Sequence, residues 1–196
     1  YYLGMLDKET ATRELITRLG DSDNFVKRRA CEALIRLGVN PGVAVPKELL
    51  DADLKILGDA DRNVRFASRL LLERLDRNSW RRRVLSDANP RAVINGLIAL
   101  TRTMRGSAPD MDALLTKELS LLGSVSGTED RLQLLRAIHL TLISDEGVLR
   151  AKYYNPLGIK LLEAFPASDY RLSREYARTL AYLQTPGAID KVLTAL

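Results

Sequence analysis

Apolar and small residues recur along this chain at helical spacing, in blocks that resemble one another. Residues 19–38 read LGDSDNFVKRRACEALIRLG and residues 57–76 read LGDADRNVRFASRLLLERLD. Residues 85–104 (LSDANPRAVINGLIALTRTM) form a third copy, and residues 122–143 and 165–184 are looser ones. In a common register an anchor falls at Val26, Val64, Ala92, Leu132 and Leu172, and positions four, seven, eight and eleven further on are mostly apolar or small. That is the stripe of an amphipathic helix. Three residues before the anchors stand Asp23, Asp61, Asn89, Glu129 and Asp169, where an N-cap belongs; all but Glu129 are strong cap formers. Each copy thus predicts a helix together with its own start signal.

The segments between these helices read as partner helices over 8–19, 46–57, 109–122, 156–165 and 186–196. Pro46, Pro109, Pro156 and Pro186 open four of them, at a position where a missing N–H costs nothing. Successive copies start 38, 28, 37 and 43 residues apart, at 19, 57, 85, 122 and 165. The short step predicts a shortened helix over 77–85, capped by Ser79. The expected fold is all-α: an α–α superhelix of about five helical hairpins plus a terminal helix, forming a single domain over 1–196. The last segment reads as the first helix of a further unit, so the expectation is an excerpt of a longer array.

The pattern resembles the HEAT-repeat, armadillo-like family. HEAT units carry an Asp in the turn between helices and a Lys or Arg just after the Val of the second helix, which bond between neighbouring repeats. Asp21, Asp59 and Asp87 match the first feature, and Lys27 and Arg65 the second. Val93, Gln133 and Ser173 depart from the basic position, and Gly127 and Ala167 from the acidic one, so the ladder is matched only in the first half. The resemblance implies a solenoid that binds through a concave face lined by the second helices. The last two units also resemble repeats of large exported bacterial proteins that carry a separate c-type haem module. No CxxCH occurs, however, and Cys31 is followed by Glu32.

Composition supports a globular helical chain: 46% of residues are hydrophobic, 28% charged and only 6% aromatic. No apolar run approaches the ~20 residues that span a bilayer, so membrane insertion is not expected. Cys31 is the only cysteine, which excludes an intrachain disulfide; the compartment is left open. Of the net charge of +5, the excess is concentrated in Arg62, Arg65, Arg69, Arg74, Arg77, Arg81, Arg82, Arg83 and Arg91, opposed by Glu73, Asp76 and Asp87.

Candidate chemistry is sparse. His139, the only histidine, falls in the slot of Ala33, Leu71, Ala99 and Thr179, which favours packing over catalysis or metal binding. Cys31 lacks a histidine partner, the carboxylates recur at cap and turn positions, and no phosphate-binding glycine motif occurs, so neither catalysis nor a cofactor or metal is expected. Arg77, Trp80, Arg81, Arg82 and Arg83 form a basic patch with two readings: a phosphate or nucleic-acid contact with the indole as stacking surface, or a packed Trp80 with solvated arginines, the favoured one. Ten residues after the anchors stand Arg36, Arg74 and Arg102, then Leu142 and Tyr182, so the inner face should turn from basic to apolar and aromatic. Residues 145–158 read as an elaborated loop on which Tyr153 and Tyr154 either anchor a partner or plug a hairpin. The favoured function is a non-catalytic protein-interaction scaffold; the alternative is a nucleic-acid binder similar to HEAT-like DNA glycosylases.

Overall fold

The computed structural model describes residues 7–38, 46–104, 108–145 and 147–195. Among these residues all regular structure is helical, in eleven helices: α1 (Lys8–Arg18), α2 (Asn24–Arg36), α3 (Lys47–Ile56), α4 (Arg62–Leu72), α5 (Arg77–Leu85), α6 (Pro90–Thr103), α7 (Ala108–Leu121), α8 (Thr128–Asp145), α9 (Arg150–Ala164), α10 (Tyr170–Leu183) and α11 (Ala188–Thr194). Leu196, the expected end of the last helix, lies outside the described residues, as does Glu146 in the expected loop. The chain divides into two compact units, residues 1–103 and 104–196.

The first unit holds three hairpins, α1–α2, α3–α4 and α5–α6, with α2 against α4 and α4 against α6. In the second unit the hairpins are α7–α8 and α9–α10, with α8 against α10 and α11 against α10. This is the expected all-α arrangement of five hairpins and a terminal helix. Second helix packs on second helix because each carries its apolar stripe on one side and small residues on its flanks.

Two linked side-chain caps explain how the chain turns from one helix into the next. Asp21, Asp59 and Asp87 accept the amides of Asp23, Asp61 and Asn89 at 2.9, 2.8 and 2.7 Å. Those residues in turn accept the amides of Phe25, Asn63 and Arg91 at 2.8, 2.7 and 3.0 Å. The Asp-x-Asp/Asn pattern therefore satisfies amides that a helix start leaves without intrahelical partners. Asp169 does the same for Arg171 at 2.8 Å.

The structure corrects three expectations. The short α5 has the expected bounds, but its cap is Asp76, which accepts from the Asn78 amide, while the Ser79 hydroxyl donates to the Asp76 carbonyl. Helix α8 begins after Gly127, so Glu129 lies in its first turn and is not a cap. Its buried stripe runs Leu134, Ile138, Thr141 and Leu142, two residues beyond the expected anchor Leu132, which is half-buried like Val26. Finally, residues 150–164 are helix and not loop. Pro156 sits inside α9, where it removes one backbone donor, and the helix persists because Tyr153, Leu157 and Leu161, with Tyr154 and Gly158, form a buried stripe. Asp145 supports the start of this helix by accepting the Leu149 amide at 3.1 Å.

Helices α5 and α6 touch so closely that a Cβ on Gly96 would lie 2.0 Å from Cγ1 of Val84. Valine has a branched, stiff side chain and cannot swing away. Gly96→Ala is therefore expected to lower stability by about 1–3 kcal/mol in urea denaturation, despite alanine's higher helix propensity. In a Val84→Ala background the loss should shrink; an unchanged loss in the double-mutant cycle would refute the contact as its cause.

Candidate functional site

In the first unit the polar ladder has one clear rung. Lys27 Nζ on α2 bonds Asp59 Oδ2 at 2.6 Å, with both side chains largely buried. Burial pushes the Asp59 carboxyl up, but the Lys27 ammonium, the Asp61 amide and the Arg65 charge outweigh it and hold the group below its ordinary value. Arg65 donates to the carbonyl oxygens of Asp59 and Ala60 at 2.6 and 2.8 Å, so both basic residues converge on one turn. Asp21 has Arg18 of its own hairpin at 3.6 Å. Asp87 accepts the Asn89 amide within its own turn.

The arginine column is not uniform. Arg36 and Arg74 are exposed, whereas Arg102 Nε bonds Glu73 Oε2 at 3.1 Å. Glu73 also faces Arg69 Nε at 3.3 Å, so one carboxylate neutralises part of the column's end. Arg36 borders a cavity of ≈ 390 Å³ beside Leu15, Phe25, Val26 and Ala33. Phe25, 60% exposed, carries the guanidinium groups of Arg28 and Arg29 on its ring, each 5.6 Å from the centroid.

The basic patch is taken apart by packing. Trp80 is 0% exposed, so its indole offers no stacking surface, which corrects the nucleic-acid reading of that residue. Its Nε1 has no hydrogen-bond partner among the described residues. Arg77 and Arg81 are half-buried, Arg82 is exposed, and Arg83 pairs with Asp51 at 2.7 Å. Cys31 is buried, and burial first and the Asp53 charge second push its thiol up, so the nucleophilic thiolate is disfavoured.

Two acids lie where no cap or turn needs them. Asp53 on α3 and Glu118 on α7 are both 0% exposed, and burial pushes each carboxyl up to about 8. Glu118 Oε1 accepts from Thr141 Oγ1 at 2.7 Å, while neither carboxyl oxygen of Asp53 has a partner among the described residues. Asp53 continues the stripe Leu49, Leu50, Leu54, and Glu118 the stripe Leu114, Leu115, Leu121, so both acids are placed inward by helical periodicity. These two stand apart from the carboxylates that recur at cap and turn positions.

In the second unit the second helices α8 and α10 run side by side with a 40-residue step. His139 Nε2 meets Thr179 Oγ1, and Tyr182 OH donates to the Leu142 carbonyl at 3.4 Å. His139, Leu142, Ile143, Arg178, Thr179 and Tyr182 line a cavity of ≈ 300 Å³. Tyr182, expected on the binding face, is 50% exposed, and its ring lies 6.2 Å from that of Tyr154. Tyr154 in turn carries the Arg150 guanidinium 5.2 Å from its centroid; burial and the neighbouring Tyr182 push its phenol up to about 12. Tyr153 is anchored inward, its OH 2.8 Å from Asp112 Oδ1 and 2.6 Å from Thr116 Oγ1. The tyrosine pair therefore stands on a helix and not on a loop, Tyr153 against α7 and Tyr154 against Tyr182 of α10.

His139, Ile143 and Arg178 were missed as site residues. The signal was present in the matching slots 139/179 and 142/182, but the rotation of α8 that opens a cavity between them arises from packing. No family model matches this chain, and no curated protein matches it in sequence. Among the described residues no helix is long and apolar enough to cross a membrane.

Proposed function

We propose that this chain forms a HEAT-like α-solenoid and serves as a non-catalytic protein-interaction scaffold, binding through the exposed faces of its second helices. The observation that carries the reading is that these helices keep recognition chemistry on their surface while their stripes are buried. Arg36 and Arg74 are exposed and make no side-chain hydrogen bond or ion pair among the described residues, and Tyr182 and Ile143 are half or more exposed. Arginine and tyrosine are the residue types that most often dominate the binding energy of such surfaces.

The test is charge reversal of the column. A saturable protein partner captured by the natural chain should bind Arg36→Glu/Arg74→Glu/Arg102→Glu at least tenfold more weakly in a direct titration, with circular dichroism unchanged. Undiminished binding would reject the first unit's face as the site. Nucleic-acid binding through the arginines of residues 62–91 is the lesser reading, weakened by the buried Trp80 and the Arg83–Asp51 pair. Tight, steeply salt-dependent binding to duplex DNA would reinstate it.

A further inference from the structure

The cavity between α8 and α10 combines groups that the packing of the hairpins does not require. Its apolar side is Leu142, Ile143 and Tyr182, with Ile143 65% exposed. Its polar side is His139, Thr179 and Arg178. At ≈ 300 Å³ it matches the lower range of small-molecule pockets and is too small for a helix.

The hydrogen-bond chain determines which nitrogen of His139 is available. Thr179 Oγ1 lies 2.7 Å from the Glu175 carbonyl, and with its proton donated there it accepts from His139 Nε2. The neutral imidazole therefore carries its proton on Nε2, and Nδ1 is left without a partner among the described residues. Protonation would turn Nδ1 into a donor. The charged groups acting on the ring are Glu175 and Arg178, both from α10, while Glu118, from α7, is turned to Thr141. Burial is the largest influence and lowers the histidine's pKa; Glu175 opposes it and Arg178 adds to it. Glu175 is held by Arg174 through Nε at 3.2 Å and Nη2 at 3.1 Å, and reaches Arg178 only at 3.7 Å. Arg178 thus keeps donors for another anion.

We propose that this cavity binds a carboxylate borne on an apolar body, with Arg178 and protonated His139 holding the carboxylate and Leu142, Ile143 and Tyr182 covering the apolar part. The shared chemistry fits a free aryl- or alkyl-carboxylic acid and equally the last residue of a polypeptide. The site includes Tyr182 of the interaction face but depends on none of Arg36, Arg74 and Arg102, so failure of either reading leaves the other standing. Binding is linked to proton uptake: an anion beside the ring favours imidazolium, so affinity rises as pH falls from 8 towards 5.5, where the ligand is still ionised.

His139 is the only histidine, so its imidazole resonance reports the site directly. In a titration followed by nuclear magnetic resonance, 3-phenylpropionate should shift that resonance with a Kd on the order of 1 mM. It should also raise the histidine's pKa by about one unit and bind roughly three- to sevenfold more tightly at pH 5.5 than at pH 8. The amide 3-phenylpropionamide should bind at least about tenfold more weakly than the acid, and Arg178→Gln should lower affinity for the acid by a similar factor while the histidine still titrates. N-acetyl-Leu-Phe with a free carboxyl terminus, run in parallel, separates the two sources: tighter binding than the free acid assigns the site to chain ends, weaker binding to small acids. An unmoved His139 resonance at about 20 mM acid would overturn the proposal. So would equal affinity for the amide, or an Arg178→Gln variant that binds unimpaired.

Discussion

Trp80→Ala is expected to lower the unfolding free energy by about 3–5 kcal/mol in urea denaturation. The nine-residue helix α5 buries only Trp80 and Val84, so the indole is its main attachment to the rest of the first unit. Deleting it leaves a cavity the size of two fused rings in a core that already brings Val84 against Gly96. Trp80→Phe should cost much less, because it keeps most of the apolar volume and removes an Nε1–H that has no partner among the described residues. As the chain's only tryptophan, Trp80 also reports on itself: its fluorescence should be blue-shifted and resistant to acrylamide. Emission typical of a solvated indole, or quenching by added duplex DNA, would return Trp80 to the surface and revive its stacking role.

The second large effect concerns pH. For Asp53 and Glu118 the folded-state pKa is raised to about 8, from ordinary values of 3.8 and 4.5. Below the unfolded-state pKa both states are protonated and the native chain has the full benefit of a neutral buried acid. As pH rises towards 8 the unfolded chain releases these protons first, so stability falls, by up to about 1.4 kcal/mol per pH unit for each group, and levels off above the folded pKa. Asp59 and Asp169, whose carboxyls are held below their ordinary value by bonded partners, act the other way and lose stability below about pH 4. The stability maximum should therefore fall near about pH 4–5. Asp53→Asn and Glu118→Gln should each flatten the decline between pH 5 and 8 and raise stability at pH 8 by on the order of 2 kcal/mol, the cost of a buried amide offsetting part of the gain. A natural chain whose denaturation midpoint stays level from pH 5 to 8 would show that neither acid is buried in neutral form.

Much of the fold was readable from particular residues. The repeated Asp-x-Asp/Asn turns located α2, α4 and α6, and the 28-residue step located α5 at its observed bounds, Arg77–Leu85. Proline misled at Pro156, because its preference for a first turn is weaker than a buried stripe of Tyr153, Leu157 and Leu161 that holds a helix through it. The expected anchor Leu132 misled because the longer turn before α8 shifted the cap and with it the buried face. Of the candidate site, Tyr182 and the arginines were visible in the periodicity, but the pairing of Arg102 with Glu73 and of Arg83 with Asp51 joins residues 29 and 32 positions apart.

Helix starts, hairpin order and the all-α class follow from interactions that close within about four residues, a cap oxygen with an amide or one side chain with the next turn, and such terms are written locally in the chain. How far each helix is rotated about its axis is different in kind. It depends on the volumes of side chains some forty residues distant, and it decides that Trp80 is interior, that Asp53 and Glu118 are sealed from water, and that His139 and Arg178 share the wall of an open cavity.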